Sequence, residues 1–231
     1  MRIAIIPARG GSKRISKKNI RDFFGVPMLV RAIKTANLSG LFDQVVVSTE
    51  CQQIASLASS HGAAVPFFRP ENLADDFTPT VPVIAHAISE CEKLGWQINE
   101  VCCIYPCTPF LTFQDLIQGY ELLKSTIVDY TMAIAEFPAS PIRALIGNNI
   151  QNCLSPMFNH DELVRTQDIP VAYYDVGQFY WGKRKAWFEN NRIHSNALGV
   201  IFPRIRAIDI DTEEDWLFAE TVFKFINNEK V

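Results

Sequence analysis

Apolar residues along this chain fall into two alternating patterns. Some form short unbroken runs; others recur every three or four positions. The short runs predict strands at Ile3–Ile6 (ending at Pro7), Gln44–Val47, Val65–Phe68, Val101–Tyr105 and Tyr130–Ala135. Further strands are predicted at Gln178–Trp181, Leu198–Phe202 and Ile205–Ile210. Between them, one helix begins at Pro27, repeats Leu29, Ile33 and Ala36, and stops at Ser39-Gly40. Others are predicted at Gln52–Ser60, closed by His61-Gly62, at Val81–Leu94 and at Phe113–Leu123. A last helix starts at Thr212, which forms a capping box with Asp215 and buries Trp216, Ala219, Phe223 and Ile226.

Strand–helix alternation of this kind predicts a mostly parallel sheet covered on both faces, a three-layer α/β fold. Such sheets bind ligands beyond the carboxyl ends of their strands, so the loops after Ile6, Ser48, Phe68 and Tyr105 should line one cleft. The rhythm breaks between Phe137 and Val176. Pro138, Pro141, Pro156 and Pro170, with Gly147-Asn148-Asn149 as a hairpin-like turn, make this an arm inserted at about 137–176. The expectation is a single domain over 1–231 carrying that arm.

Composition narrows the function classes. At 48% hydrophobic the chain can build one substantial core and is not disordered. Its 22 Lys and Arg against 25 Asp and Glu leave a charge of −3, unlike a general nucleic-acid binder. Yet Arg9, Lys13, Arg14, Lys17, Lys18 and Arg21 concentrate six cations in one loop with no acid among them, which points to a small polyanionic ligand. The first apolar run is too short for a signal peptide and no run approaches spanning length, so a cytoplasmic protein without membrane contact is expected. The six cysteines lack C-x-x-C spacing and read as reduced core thiols; a Cys103/Cys107 metal pair has no neighbouring His.

Two segments carry chemistry. IIPARGGSKRISKKN (Ile5–Asn19) follows the first strand directly. Gly10 and Gly11 allow a tight bend and close approach of backbone N–H groups, Ser12 adds a hydroxyl, and Arg9, Lys13 and Lys18 add charge for phosphate oxygens. It is neither a Walker A loop nor G-x-G-x-x-G, so neither P-loop hydrolysis nor dinucleotide binding is supported. The second segment is Asp209-x-Asp211. Strand alternation would place both carboxylates on one face, about 7 Å apart, suited to a hard cation bridging substrate phosphates; the same residues also read as an acidic helix start. His86 reads as a packed side chain, His160 and His194 as loop residues without a role, and Asp75-Asp76 as a loop cap.

The loop resembles the signature of the sialate-type cytidylyltransferases, which activate nonulosonic acids with CTP. VVVST (Val45–Thr49), RPENLADD (Arg69–Asp76) and IDIDTEED (Ile208–Asp215) fall where that family carries its other blocks, so the resemblance spans essentially the whole chain. Cys102–Phe110, Phe137–Leu145 and Arg165–Gly182 are most similar to the branch acting on pseudaminic acid.

The resemblance implies a Rossmann-like, GT-A-like nucleotidyltransferase sheet with a dimerisation arm. It implies that Arg9, Ser12, Lys13, Lys18 and Asn19 bind CTP phosphates and ribose, that Arg69 and Thr80 read cytosine, and that Asp209 and Asp211 carry Mg²⁺. Arg9, Lys18 and Asp211 would serve catalysis directly. The implied partners are CTP, an acidic nine-carbon sugar and a second copy of the chain, with Tyr105, Arg143, Arg165, Gln178 and Tyr180 toward the sugar and Arg143 reaching the partner's site.

Where sialic-acid enzymes of the family carry Gln-Pro-Thr-Ser-Pro-Leu-Arg, this chain has Tyr105 at the Gln position and Leu111 at the Arg position. That departure favours a less polar acceptor such as pseudaminic acid over sialic acid. Sialic, legionaminic and 3-deoxy-octulosonic acids stand as alternatives, as do a non-catalytic nucleotide-binding regulator and a glycosyltransferase.

Overall fold

The computed structural model describes residues 1–148, 153–158, 164–190 and 192–227. Strand β1 (Arg2–Pro7) leads into a small hairpin, β2 (Asp22–Phe23) and β3 (Val26–Pro27), and then α1 (Met28–Leu38). There follow β4 (Gln44–Ser48), α2 (Gln52–Ser60), α3 (Thr80–Lys93), β5 (Glu100–Ile104), α4 (Phe113–Ser125) and β6 (Tyr130–Glu136). After a second hairpin, β7 (Leu145–Asn148) and β8 (Cys153–Pro156), come β9 (Tyr173–Lys183), α5 (Arg184–Glu189), β10 (Ala197–Ile201) and α6 (Glu213–Ile226).

The main sheet has the order β10-β6-β9-β5-β1-β4, with β9 antiparallel to both neighbours and the other pairs parallel. Its central strands are apolar at successive positions because both faces are covered. Ala4, Ile6, Val45, Val47, Cys102 and Ile104 pack against α1, α2 and α4. Ile3, Ile5, Val46, Val101 and Cys103 pack against α3 and α5 on the other face. A third cluster, with Phe23, Met28, Ile208, Ile210 and Trp216, lies beneath α6. The three-layer α/β expectation holds, and Thr212 and Asp215 form the predicted capping box.

Two predicted strands are absent. Val65–Phe68 carries Pro66, which has no N–H for a ladder, and the only sheet contact there is an isolated Val46–Ala64 bridge. Over Ile205–Ile210, Pro203 starts a 3-10 turn at Arg204–Arg206, after which Ile208 and Ile210 bury under α6 without strand pairing.

In the arm, Gly147 and Asn148 lie in β7, whereas Asn149 of the predicted turn lies outside the described residues. Because β9 pairs with β6 from Tyr173 onward, Tyr173–Val176 belong to the sheet rather than to the arm. Cys91, Cys102 and Cys103 are buried free thiols and Cys51 and Cys107 are half-buried ones; the Cys153 side chain lies outside the described residues. No helix among the described residues is long and apolar enough to cross a membrane.

Candidate active site

The cation-rich loop leaves the carboxyl end of β1 and is tied down from below. The buried Asn19 amide donates to the Arg9 carbonyl at 2.8 Å, and the Gly10 N–H donates to Glu50 Oε1 at 2.6 Å. A Cβ at Gly10 would stand 3.0 Å from the Cys51 Cβ, so glycine permits this approach to the start of α2. Gly10 therefore seats the loop, neither glycine lines the cleft, and the left-handed residue of the bend is Lys17, at φ 51°.

A cleft of about 360 Å³ opens beyond β1 and β5. Arg9, Ser12, Lys13, Lys18, Asn19, Arg69 and Thr80 all line it, and so do Asp209, Asp211 and Tyr105. Of the four loops expected there, the one after Ser48 instead passes beneath, through Glu50 and Cys51. Arg69 is only 5% exposed; its guanidinium donates to the Ser48 hydroxyl at 3.1 Å and to the Ser48 carbonyl. Burial lowers its pKa, with the nearby Glu50 charge opposing. The Thr80 hydroxyl meets the Tyr105 hydroxyl at 2.5 Å, and burial pushes the Tyr105 phenol up to about 12.

Internal carboxylates hold these cations. Asp76 pairs with Arg9 and with Lys13, each at 2.5 Å, and those contacts, Lys13 first, keep its carboxyl below the usual range. Asp211 takes a two-pronged contact from Arg14 at 2.9 and 3.0 Å and faces Lys18 Nζ at 3.3 Å. Lys18 also donates to the Ile210 carbonyl at 2.5 Å, joining the loop to the acidic segment. Neither Arg14 nor Arg21 is merely solvated. Arg14 lines the cleft, and Arg21 pairs with Glu213 at 2.7 Å while covering the Trp216 ring. Asp75 caps its loop as expected, accepting from the Thr78 hydroxyl and the Phe77 and Thr78 N–H groups.

Asp209 and Asp211 do not sit on a strand, but Ile208 and Ile210 anchor the segment so that both acids face the cleft. Loss of water around its carboxyl raises the Asp209 pKa, and the Asp211 charge adds to this. Two carboxylates facing one cleft suit a divalent cation. Among the described residues no group of three or more His, Cys, Asp or Glu side chains is placed to hold a metal. A cation here would therefore take these two ligands and complete its shell from phosphates and water, as Mg²⁺ commonly does.

A second cavity of about 610 Å³ shares Thr80 and Tyr105 with the first and is also lined by Asp175, Tyr180 and His194. Tyr180 faces it as expected, but Gln178 does not: its side chain is buried and donates to the Arg206 carbonyl at 2.9 Å. The cause is a register shift: β9 pairs Tyr180 with Met132 but Asp175 with Ile134, which breaks the alternation between them.

Arg143 and Arg165 are exposed on the arm, where they contact the Val164 carbonyl and Asp168, and neither lines the cleft or the second cavity. Leu111 is in the core and lines neither cavity. His86 is half-buried with its ring against Phe67, and His160 lies outside the described residues. Sequence reasoning missed Asp76 as an ion-pair partner, and Asp175 and His194; each contact joins segments far apart in the chain.

The chain matches the family model for cytidylyltransferases over residues 3–216. It is 38% identical to a pseudaminic acid cytidylyltransferase of Campylobacter jejuni over 98% of this chain and 97% of that one. It is 28% identical to a CMP-N,N'-diacetyllegionaminic acid synthase of Legionella pneumophila, over 96% of each chain. Among solved structures, CMP:2-keto-3-deoxy-manno-octonic acid synthetase complexed with CTP superposes with a TM-score of 0.70 over 97% of this chain and 99% of that one. At 14% identity that match speaks for the fold alone. With a family match running from the first strand into the last helix, and a relative alike over nearly its whole length, the chain belongs to the cytidylyltransferase family.

Proposed function

We propose that the chain transfers CMP from CTP to the anomeric hydroxyl of a nonulosonic acid, with pseudaminic acid as the preferred acceptor. One observation carries this reading: a cleft walled by the cationic loop and the two aspartates borders, at Tyr105 and Thr80, a second cavity of sugar size. The hydroxyl oxygen attacks the α-phosphorus, the bond from that phosphorus to its bridging oxygen breaks, and pyrophosphate leaves.

Negative charge on the phosphates is the obstacle to that attack. Arg9, Lys13 and Lys18 neutralise it and hold the leaving group, with Ser12 and Asn19 beside them. Losing one such charge contact costs roughly 3 kcal/mol of transition-state stabilisation. Arg69 and Thr80 hold the cytosine. Mg²⁺ on Asp209 and Asp211 would add charge neutralisation at the phosphates. Pseudaminic acid is favoured by Tyr105, which gives the acceptor cavity an aromatic wall where sialic-acid enzymes of the family carry Gln, and by the 38% identical relative.

The chain acts as one domain and as a homodimer, the arm, which ends where β9 begins at Tyr173, carrying Arg143 and Arg165 to the partner's sugar site. Exposed Ile142, Leu145, Ile146, Leu154 and Met157 supply the apolar surface for that contact.

The test is incubation with CTP, Mg²⁺ and a panel of pseudaminic, legionaminic, sialic and 3-deoxy-octulosonic acids, following pyrophosphate and weighing the product by mass spectrometry. The expected result is CMP-sugar formation fastest with pseudaminic acid and lost in Asp211→Ala. CTP binding without pyrophosphate release from any acid would overturn it in favour of a nucleotide-binding regulator.

A further inference from the structure

The wall of the second cavity away from the phosphate cleft carries a polar assembly that the transfer reaction does not use. Asp175 Oδ2 accepts from the Tyr180 hydroxyl at 2.8 Å and faces His194 Nε2 at 2.8 Å, while Oδ1 accepts the Gly177 N–H at 2.8 Å. With these donors around it, Asp175 is engaged in holding its neighbours. The group it presents is His194, whose side chain is 68% exposed.

Holding the Nε2 hydrogen on Asp175 leaves Nδ1 of a neutral ring as a hydrogen-bond acceptor. Nδ1 has no hydrogen bond among the described residues. Position decides what this acceptor meets. Thr80 and Tyr105 border both cavities, whereas Ile193 and His194 line only the second. A sugar whose reacting hydroxyl points at the phosphates therefore turns its remote end toward His194. An acceptor atom beside the apolar Ile193 suits a substituent that pairs an N–H with a methyl group, which is an acetamido group.

We propose that His194 is a specificity-determining residue that accepts the N–H of an acylamino group on the remote end of the acceptor, with Asp175 as the positioning residue that sets its ring. This rests on the reading of the second cavity as the acceptor site.

The experiment measures kcat and KM for wild type, His194→Ala, His194→Gln and Asp175→Asn with two acceptors: a di-N-acetylated nonulosonic acid and the analogue with a hydroxyl in place of the remote acetamido group. In wild type the di-N-acetylated acceptor has the lower KM. His194→Ala should raise that KM about tenfold, a typical net worth of one hydrogen bond, and erase the preference, with kcat and the CTP KM little changed. Asp175→Asn should raise it similarly, and His194→Gln, whose amide oxygen can accept, should recover part of the loss. An unchanged acceptor KM in His194→Ala, or an equal rise in the CTP KM, overturns the proposal while leaving the transferase reading intact. No turnover by wild type with either acceptor overturns both.

Discussion

Asp76 stands between two cations that a triphosphate would also claim. Its two carboxylate oxygens each sit 2.5 Å from a cationic nitrogen, of Arg9 on one side and Lys13 on the other. CTP binding at this point is an exchange of one anion for another, and the carboxylate competes with the nucleotide. Asp76→Asn removes the competing charge while Asp75 keeps its own hydrogen bonds to Phe77 and Thr78. Calorimetry should then show CTP binding several-fold tighter; weaker binding would make Asp76 part of the nucleotide's own contacts. Residues whose type announces their chemistry were readable in advance: Arg9, Lys13, Lys18 and the Asp209/Asp211 pair all reach the cleft, as does Arg69, which the family resemblance pointed to. Glu50 under Gly10, Asp76 and the Asp175–His194 contact were not readable, because each depends on segments brought together only by the fold.

At the scale of elements, helices were the most legible. Gln52–Ser60 was predicted to the residue, because a 3.6-residue period bounded by His61-Gly62 leaves little room for another reading. Strand signals were weaker where apolar β-branched residues serve a different purpose. Ile208 and Ile210 alternate like a strand but pack under α6, and Val65 is followed by a proline. In the dimer proposed above, the β7–β8 hairpin supplies the contact, since Leu145, Ile146 and Leu154 are about half exposed or more on a ladder of only two strands. Leu154→Glu should convert a dimer to monomer in light scattering and lower kcat at least tenfold, because Arg143 and Arg165 would no longer meet a neighbouring cleft.

For the molecule as a whole, β9 is the strand that joins the two halves of the sheet, between β5 and β6. Its fit there is close. A Cβ at Gly182 would lie 2.6 Å from Trp187 Nε1 and 2.8 Å from the Tyr130 ring, both buried. Gly182→Ala should cost about 2 kcal/mol through overpacking and lower Tm by about 4–8 °C, read by calorimetry on the apo protein. The same strand order has a consequence during synthesis. β5 and β6 are neighbours in the chain but not in the sheet, and the strand that separates them is made only after the whole arm. Until Lys183 has left the ribosome, both strands carry bare edges that can pair with another chain. At roughly 5–20 residues per second that window lasts several seconds, so the nascent protein is most in need of chaperone cover while its arm is being translated.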